Sequence, residues 1–316
     1  MKRIALIVLV IASIFALMSC SSNESTKNTE LSSTTTTTTQ KQDDSTPEVP
    51  VINKMEDLTK LEGIVSVESV TFSSAVEGAT AFRVKYKSGE LTAMADFILP
   101  TDYRVTSKKT PVLFYFPEIG FTIEDLARNY AACGFSVIRI YDRGDDGVEG
   151  MRDLAGEDIA DAQQLLAICK TLKFFEKSKF FVAGSSEGSI SALRMYAEDD
   201  EGYLSGCAVI DVISDLKASM DQNSSLATLY AALIGKTYDE APEEYDKRSA
   251  VKFTDKLNKP IIIMGYKDHP TYSQAENLYD LLKGNKDCTF KSFDELSSDF
   301  IGSARIELLT WIAKRN

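Results

Sequence analysis

The pentapeptide Gly184-Ser185-Ser186-Glu187-Gly188 follows a short apolar run, Phe180-Phe181-Val182-Ala183, and precedes a segment of helical spacing that begins near Ile190. A buried strand that must turn at once into a helix has little room at the junction. Side chains flanking such a turn collide with neighbouring backbone, so glycine is needed on both sides of it. The apical Ser186 is then held exposed in a strained conformation, with the free N–H groups of a helix N-terminus beside it. Those groups favour negative charge on an oxygen under attack. A serine presented in this way is a candidate nucleophile, provided that a base takes its proton.

The rest of the chain supplies a frame for that turn. Strand patterns occupy 66–72, 81–86 and 91–99, the last two joined at Ser88-Gly89 as a hairpin. Residues 111–116 are continuously apolar, as a strand covered on both faces requires. Helical spacing over 123–133 stops at Gly134, a helix cap, and 135–141 is the next strand. A long helix is predicted over 153–172, with Ile159, Ala162, Leu166 and Cys169 on one face. Further strands are predicted at 179–183, 204–213, 260–265 and 288–293, with helices at 272–282 and around Ile306, Leu309 and Trp311. This alternation implies an α/β fold: a mostly parallel sheet with an antiparallel N-terminal hairpin and helices on both faces. The segment 214–258 is polar and helix-prone, with Leu226, Leu229, Tyr230 and Leu233 at helical spacing. It reads first as helix packed on the sheet edge, and second as part of a lid.

The N-terminus sets the compartment. Lys2 and Arg3 precede an apolar run from Ile4 to Leu17, too short for a bilayer span of roughly 20 residues but suited to a signal-peptide core. It closes on Leu17-Met18-Ser19-Cys20, which resembles the lipobox of bacterial lipoproteins. That resemblance implies cleavage before Cys20, its acylation, export, and anchoring in a membrane at the cell surface or facing the periplasm. The other reading is a plain secretory signal that contains a cysteine. Residues 21–50 are almost wholly polar, with six threonines from Thr34 to Thr39. They cannot bury enough apolar surface to fold and act as a tether. The expected organisation is therefore a signal over 1–19, lipidated Cys20 and tether over 20–54, and one domain over 55–316. The net charge of −12 argues against nucleic acid as a partner. Cys133, Cys169, Cys207 and Cys288 are too scattered for a metal site and read as buried thiols, although export permits a disulfide. No phosphate loop is present, and no cofactor is implied.

Several stretches around the turn identify a family. Tyr130-Ala131-Ala132-Cys133-Gly134-Phe135 leads through Val137 to Arg143-Gly144; after the serine turn come Pro242-Glu243-Glu244-Tyr245, Arg248-Ser249 and Lys259-Pro260, then the apolar strand Ile261-Ile262-Ile263-Met264-Gly265. This pattern resembles the catalytic domain of prolyl oligopeptidase-type serine peptidases and the related dienelactone hydrolase-like esterases, which have the α/β-hydrolase fold. Relatives usually carry a propeller or cap before that domain; here a tether and a few strands leave no room for a propeller. The resemblance makes Ser186 the nucleophile and Asp268 the acid, with a solvated loop aspartate as the bland reading of Asp268. It puts the histidine after the last strand, where this chain has Ser298. The chain's one histidine is His269, beside the proposed acid and read mainly as a loop residue, secondarily as a substitute base. The oxyanion positions fall at Glu187, through its backbone N–H, and at Glu118. There Pro117 has no N–H to donate, and the Glu118 carboxylate stands near a developing negative charge. Ser189 replaces a glycine common after the turn.

The sequence therefore suggests a membrane-tethered serine-hydrolase-like lipoprotein that keeps its nucleophile turn but lacks the usual histidine. Catalysis is expected to be impaired or absent, with binding of a small ester, peptide or glycan fragment in the old pocket. The alternative is an active esterase or peptidase with an unusual base, namely His269, Asp299 or Glu118. A purely structural envelope lipoprotein is the third reading.

Overall fold

A computed structural model describes residues 51–104, 109–117, 122–294 and 300–315. Cys20, residues 21–50 of the tether, Glu118, Ser298 and Asp299 lie outside the described residues.

Nine strands form one sheet: β1 (Ile64–Val70), β2 (Ala79–Ser88), β3 (Leu91–Pro100), β4 (Thr110–Phe116), β5 (Ser136–Ile140), β6 (Phe175–Ser185), β7 (Gly206–Ile210), β8 (Ile261–Tyr266) and β9 (Cys288–Phe293). Their spatial order is β1-β2-β3-β5-β4-β6-β7-β8-β9. The first three strands and the β3–β5 pair are antiparallel, and every pair from β5 onward is parallel. The helices are α1 (Ile123–Asn129), α2 (Ile159–Thr171), α3 (Gly188–Ala197), α4 (Leu216–Gln222), α5 (Ser225–Ile234), α6 (Pro242–Asp246), α7 (Tyr272–Leu282) and α8 (Phe300–Ala313). This is the expected mostly parallel sheet with an antiparallel start.

Strand pleating explains the continuous apolar runs. Val112, Phe114, Val182 and Ile263 pack toward α2, α3 and α7, while Leu113, Tyr115, Phe181 and Ile262 pack toward α1 and α8. Both faces are therefore core, and neither tolerates polar alternation. On the second face, a Cβ at Gly206 would come within 2.6 Å of the Trp311 ring, so that glycine makes the floor on which α8 sits. The packed region already includes Ile52, whose carbonyl accepts from the Lys173 N–H at 3.2 Å.

Two sequence expectations need correction. Cys133 is exposed and Cys288 half-buried, so only Cys169 and Cys207 are buried thiols; all four are free. The helix expected from 153 starts instead at Ile159, because Leu154 and Ala155 take left-handed conformations with φ of 55° and 61°. Buried Arg248 donates from Nε to the carbonyls of Asp153 (3.1 Å) and Leu154 (3.0 Å), and Arg194 donates to that of Ala155 (2.5 Å). These tertiary bonds override a helical periodicity that is otherwise continuous. Leu154 and Ala155 then join Ile190, Ile213, Tyr230 and Tyr245 in a separate apolar cluster. It seats α4, α5 and α6 against the start of α3 and the end of β7. In α5, Tyr230 is buried and Leu229 exposed, so the helix is packed through one stripe.

Candidate active site

Because β4 to β8 are parallel, their C-terminal ends share one edge of the sheet, and the serine turn lies at its centre. Ser186 has φ of 48°, a left-handed conformation for a residue with a side chain. Close packing enforces it. A Cβ on Gly184 would lie 2.2 Å from the Gly188 carbonyl oxygen, and one on Gly188 would lie 2.2 Å from that of Phe116. The Ser186 N–H donates to the Ile210 carbonyl at 3.0 Å, tying the turn to β7. The Ser186 carbonyl accepts from the Ser189 N–H (3.0 Å) and hydroxyl (2.6 Å), and the Ser189 oxygen accepts from the Ile213 N–H (3.0 Å). The serine at 189 thus has its own work: it stitches the turn to the loop after β7. Glu187 precedes α3, and Arg152 holds its carboxylate (3.1 Å) while also meeting Asp142 (2.9 Å).

A cavity of about 180 Å³ opens beside the turn, bounded by Phe116, Tyr141, Asp142, Arg152, Leu154 and Glu187. Its wall is acidic and crowded. Burial raises the Asp142 carboxyl above its usual range, against the pull of Arg152. Nearby Asp158 is pushed up to about 8, first by burial and then by the charge of Asp153, whose own carboxyl is lowered by the Glu157 and Gly156 N–H groups and by Asp158.

The next two strand ends carry ionisable groups. Ser185, Ile210 and Met264 are neighbours across β6, β7 and β8, so Ser186, Asp211 and Gly265 are the following positions on those three strands. Asp211 is fully buried and, like Ser186, has φ of 48°. Its Oδ1 accepts from the Tyr266 N–H at 3.1 Å, and its buried Oδ2 has no hydrogen-bond partner. Burial raises its carboxyl, opposed by the Tyr266 N–H and by His269. His269 Nδ1 lies 4.0 Å from Asp211 Oδ1 and 2.9 Å from Thr271 Oγ1, and the Thr271 N–H donates to Nδ1 at 3.3 Å.

The profile of the prolyl oligopeptidase family matches residues 130–296, just over half of the 316-residue chain. The chain belongs to that family. An uncharacterized peptidase of Bacillus subtilis (strain 168), YtmA, is 28% identical over 152 residues, 48% of this chain and 59% of that protein. The chain therefore matches less than two thirds of that relative's length. Among solved structures, the acetyl xylan esterase from Paenibacillus sp. R4 superposes with a TM-score of 0.61 at 13% identity, over 82% of this chain and 92% of the esterase. A putative dipeptidyl aminopeptidase IV from Bacteroides ovatus gives 0.58 at 14% identity, over 80% of this chain and 36% of the peptidase. These likenesses establish the α/β-hydrolase fold.

Of the sites that family membership suggested, Ser186 and Glu187 stand together at the turn. Asp268 is exposed after β8, and its side chain forms no hydrogen bond or ion pair among the described residues. The buried carboxylate of this edge is Asp211, which sequence reasoning passed over because it sits inside an apolar strand run without a motif around it. A lone aspartate ending Cys207-Ala208-Val209-Ile210 was the available signal. Among the described residues no hydrogen bond reaches the Ser186 hydroxyl, and no group of three or more His, Cys, Asp or Glu side chains is arranged to hold a metal.

Proposed function

We propose that this member of the prolyl oligopeptidase family is an exported lipoprotein, anchored through acylated Cys20, that performs slow serine acyl transfer on an ester or peptide bond. The single observation that carries the reading is the serine turn, where two glycines packed against backbone hold Ser186 at φ of 48°. Strain of this kind costs on the order of 1–3 kcal/mol per residue and persists where the surroundings over-determine it, as at reactive sites. The mechanism follows the family's chemistry. The Ser186 oxygen attacks the acyl carbon, and the Glu187 N–H at the start of α3 meets the oxygen that gains charge. The acyl-enzyme is then released by water. Turnover is slow because the family's histidine position is Ser298 and the second oxyanion position is Glu118, beside a proline.

A second reading has its own support. The Ser186 hydroxyl lacks a hydrogen-bonded base among the described residues, which suits a protein that binds an ester, peptide or glycan fragment without turning it over.

Fluorophosphonate labelling of the full chain in detergent, beside Ser186→Ala, separates the two. Acyl transfer predicts labelling of the parent that vanishes in the variant. A parent that stays unlabelled beside a related hydrolase that reacts sinks the acyl-transfer reading and leaves the binding one.

A further inference from the structure

We propose that the base lost from the family's position is replaced at this edge by His269, with Asp211 as its orienting carboxylate. The inference rests on Ser186 being an acyl-transfer nucleophile and adds which groups move its proton. Three observations converge on this pair. The chain has one histidine, and it lies in the loop leaving β8, at the same sheet edge as the serine turn. It approaches a fully buried carboxylate that ends the strand between β6 and β8. That carboxylate's Oδ1, the oxygen His269 approaches, accepts from the Tyr266 N–H, while its Oδ2 is buried without a partner. A buried unpaired carboxylate oxygen is costly and is retained where it serves a cation or a proton donor that comes and goes.

Backbone bonds tie together the segments that carry the three groups. The Ser186 N–H binds the carbonyl of Ile210, the residue before Asp211; the Asp211 N–H binds the carbonyl of Met264 at 2.9 Å; and the His269 N–H binds the carbonyl of Tyr266 at 2.9 Å. The serine, the carboxylate and the histidine loop are thus laced together without relying on Asp268. In the resting geometry Thr271 holds Nδ1 from both its hydroxyl and its N–H. For Nε2 to act as base, the ring proton must sit on Nδ1. A turn of the ring that closes the 4.0 Å gap to Asp211 Oδ1, an oxygen shared with the Tyr266 N–H, supplies an acceptor for that proton. Asp211 is a positioning residue here, and His269 is the catalytic one.

The proton and electron movements balance. As the Ser186 oxygen bonds to the acyl carbon, its proton passes to His269 Nε2 and the carbonyl π pair moves onto oxygen. When that pair returns, the bond to the leaving alkoxide or amine breaks and the leaving group takes the proton from Nε2. Water then gives one proton to Nε2 as its oxygen bonds to the acyl carbon, and the Ser186 oxygen departs with that proton, releasing the acid.

The test measures fluorophosphonate labelling rates and p-nitrophenyl acetate hydrolysis against pH in the full chain and in Ser186→Ala, His269→Gln, His269→Gly, Asp211→Asn and Asp268→Asn. Asn at 211 keeps an acceptor for the Tyr266 N–H, so that variant tests charge rather than folding. The expected result is a loss of about 100-fold or more in His269→Gln. Asp211→Asn should lose on the order of 100-fold and shift the acid limb of its pH profile. Asp268→Asn should stay within about twofold, and added imidazole should restore labelling of His269→Gly. If the parent labels, Ser186→Ala does not, and His269→Gln labels at the parent rate, the base lies elsewhere; the replacement fails while acyl transfer stands. A loss in Asp268→Asn equal to that in His269→Gln, with Asp211→Asn unchanged, returns the acid to Asp268 and overturns the role of Asp211. An unlabelled parent overturns both.

Discussion

Ser186 after β6 and Asp211 after β7 lie side by side with the same φ of 48°, yet the two turns are held by different forces. The first is held by what is missing: glycines at 184 and 188 let Phe116, Gly188 and the turn approach to distances that no Cβ permits. The second is held by what is present, with the Asp211 N–H on Met264 and the Asp211 carboxylate on the Tyr266 N–H. Both turns touch distant strands, but the first carries its own sequence mark in two glycines and the second carries none. The difference predicts how each breaks.

The steric turn should break hardest. In Gly188→Ala the new Cβ meets the Phe116 carbonyl oxygen at 2.2 Å and its carbon at 2.8 Å, so α3 must move off β4. A loss of about 3 kcal/mol is expected, read as a lower denaturant midpoint. An unchanged midpoint would falsify the view that packing alone sets this turn.

A third left-handed turn, at Leu154 and Ala155, is held by the Arg248 and Arg194 guanidiniums and lies between the Asp153 and Asp158 carboxyls, which make this segment sensitive to pH. Asp158 titrates at about 8 in the fold against an ordinary value of 3.8. A carboxyl raised in the folded state contributes fully below the ordinary value, and its contribution is lost as pH climbs to the folded value. Between about pH 5 and about pH 8 the parent should lose on the order of 2 kcal/mol more than Asp158→Asn. Parallel melting curves for the two proteins across that range would remove the raised Asp158 carboxyl from the account of this segment.

The hydrogen-bonded turn after β7 should yield by a smaller amount. Asp211→Ala strands the buried Tyr266 N–H and should cost about 1.5 kcal/mol. Asp211→Asn keeps the acceptor and removes a carboxyl that burial raises, so its stability relative to the parent should rise with pH. Chemical denaturation at acid and neutral pH tests both. Equal losses in Ala and Asn would mean that the charge, and not the acceptor, holds the turn.

This contrast also explains what the sequence revealed. The serine turn was legible because its two glycines, its serine and the flanking strand and helix patterns lie within a few residues, although Phe116 and Ile210 complete its packing, and the strands of the parallel half because burial on both faces leaves a continuous apolar run. The helix at 272–282 and the strand at 288–293 matched their observed bounds for the same local reason. Asp211 was not legible, since its importance depends on β7 lying between β6 and β8 in one register. Nor was the turn before α2: its sequence is helical, and buried Arg248, far along the chain, decides against the helix.

Ser189 joins the two turns and gives the finest test of the comparison. Its hydroxyl donates to the Ser186 carbonyl and accepts from the Ile213 N–H, so one oxygen couples the steric turn to the segment that follows Asp211. In Ser189→Ala the serine turn keeps both glycines and the Ser189 backbone bond, while the loop after β7 loses a buried acceptor. The expected loss is about 1 kcal/mol, smaller than for either turn broken outright. Hydrogen exchange should place it unevenly: faster at the Ile213 amide, unchanged at the Ser186 amide, whose partner is the Ile210 carbonyl. Faster exchange at both amides would instead mean that the hydroxyl is part of what holds the serine turn. The glycine contacts would then set its shape without being sufficient to keep it.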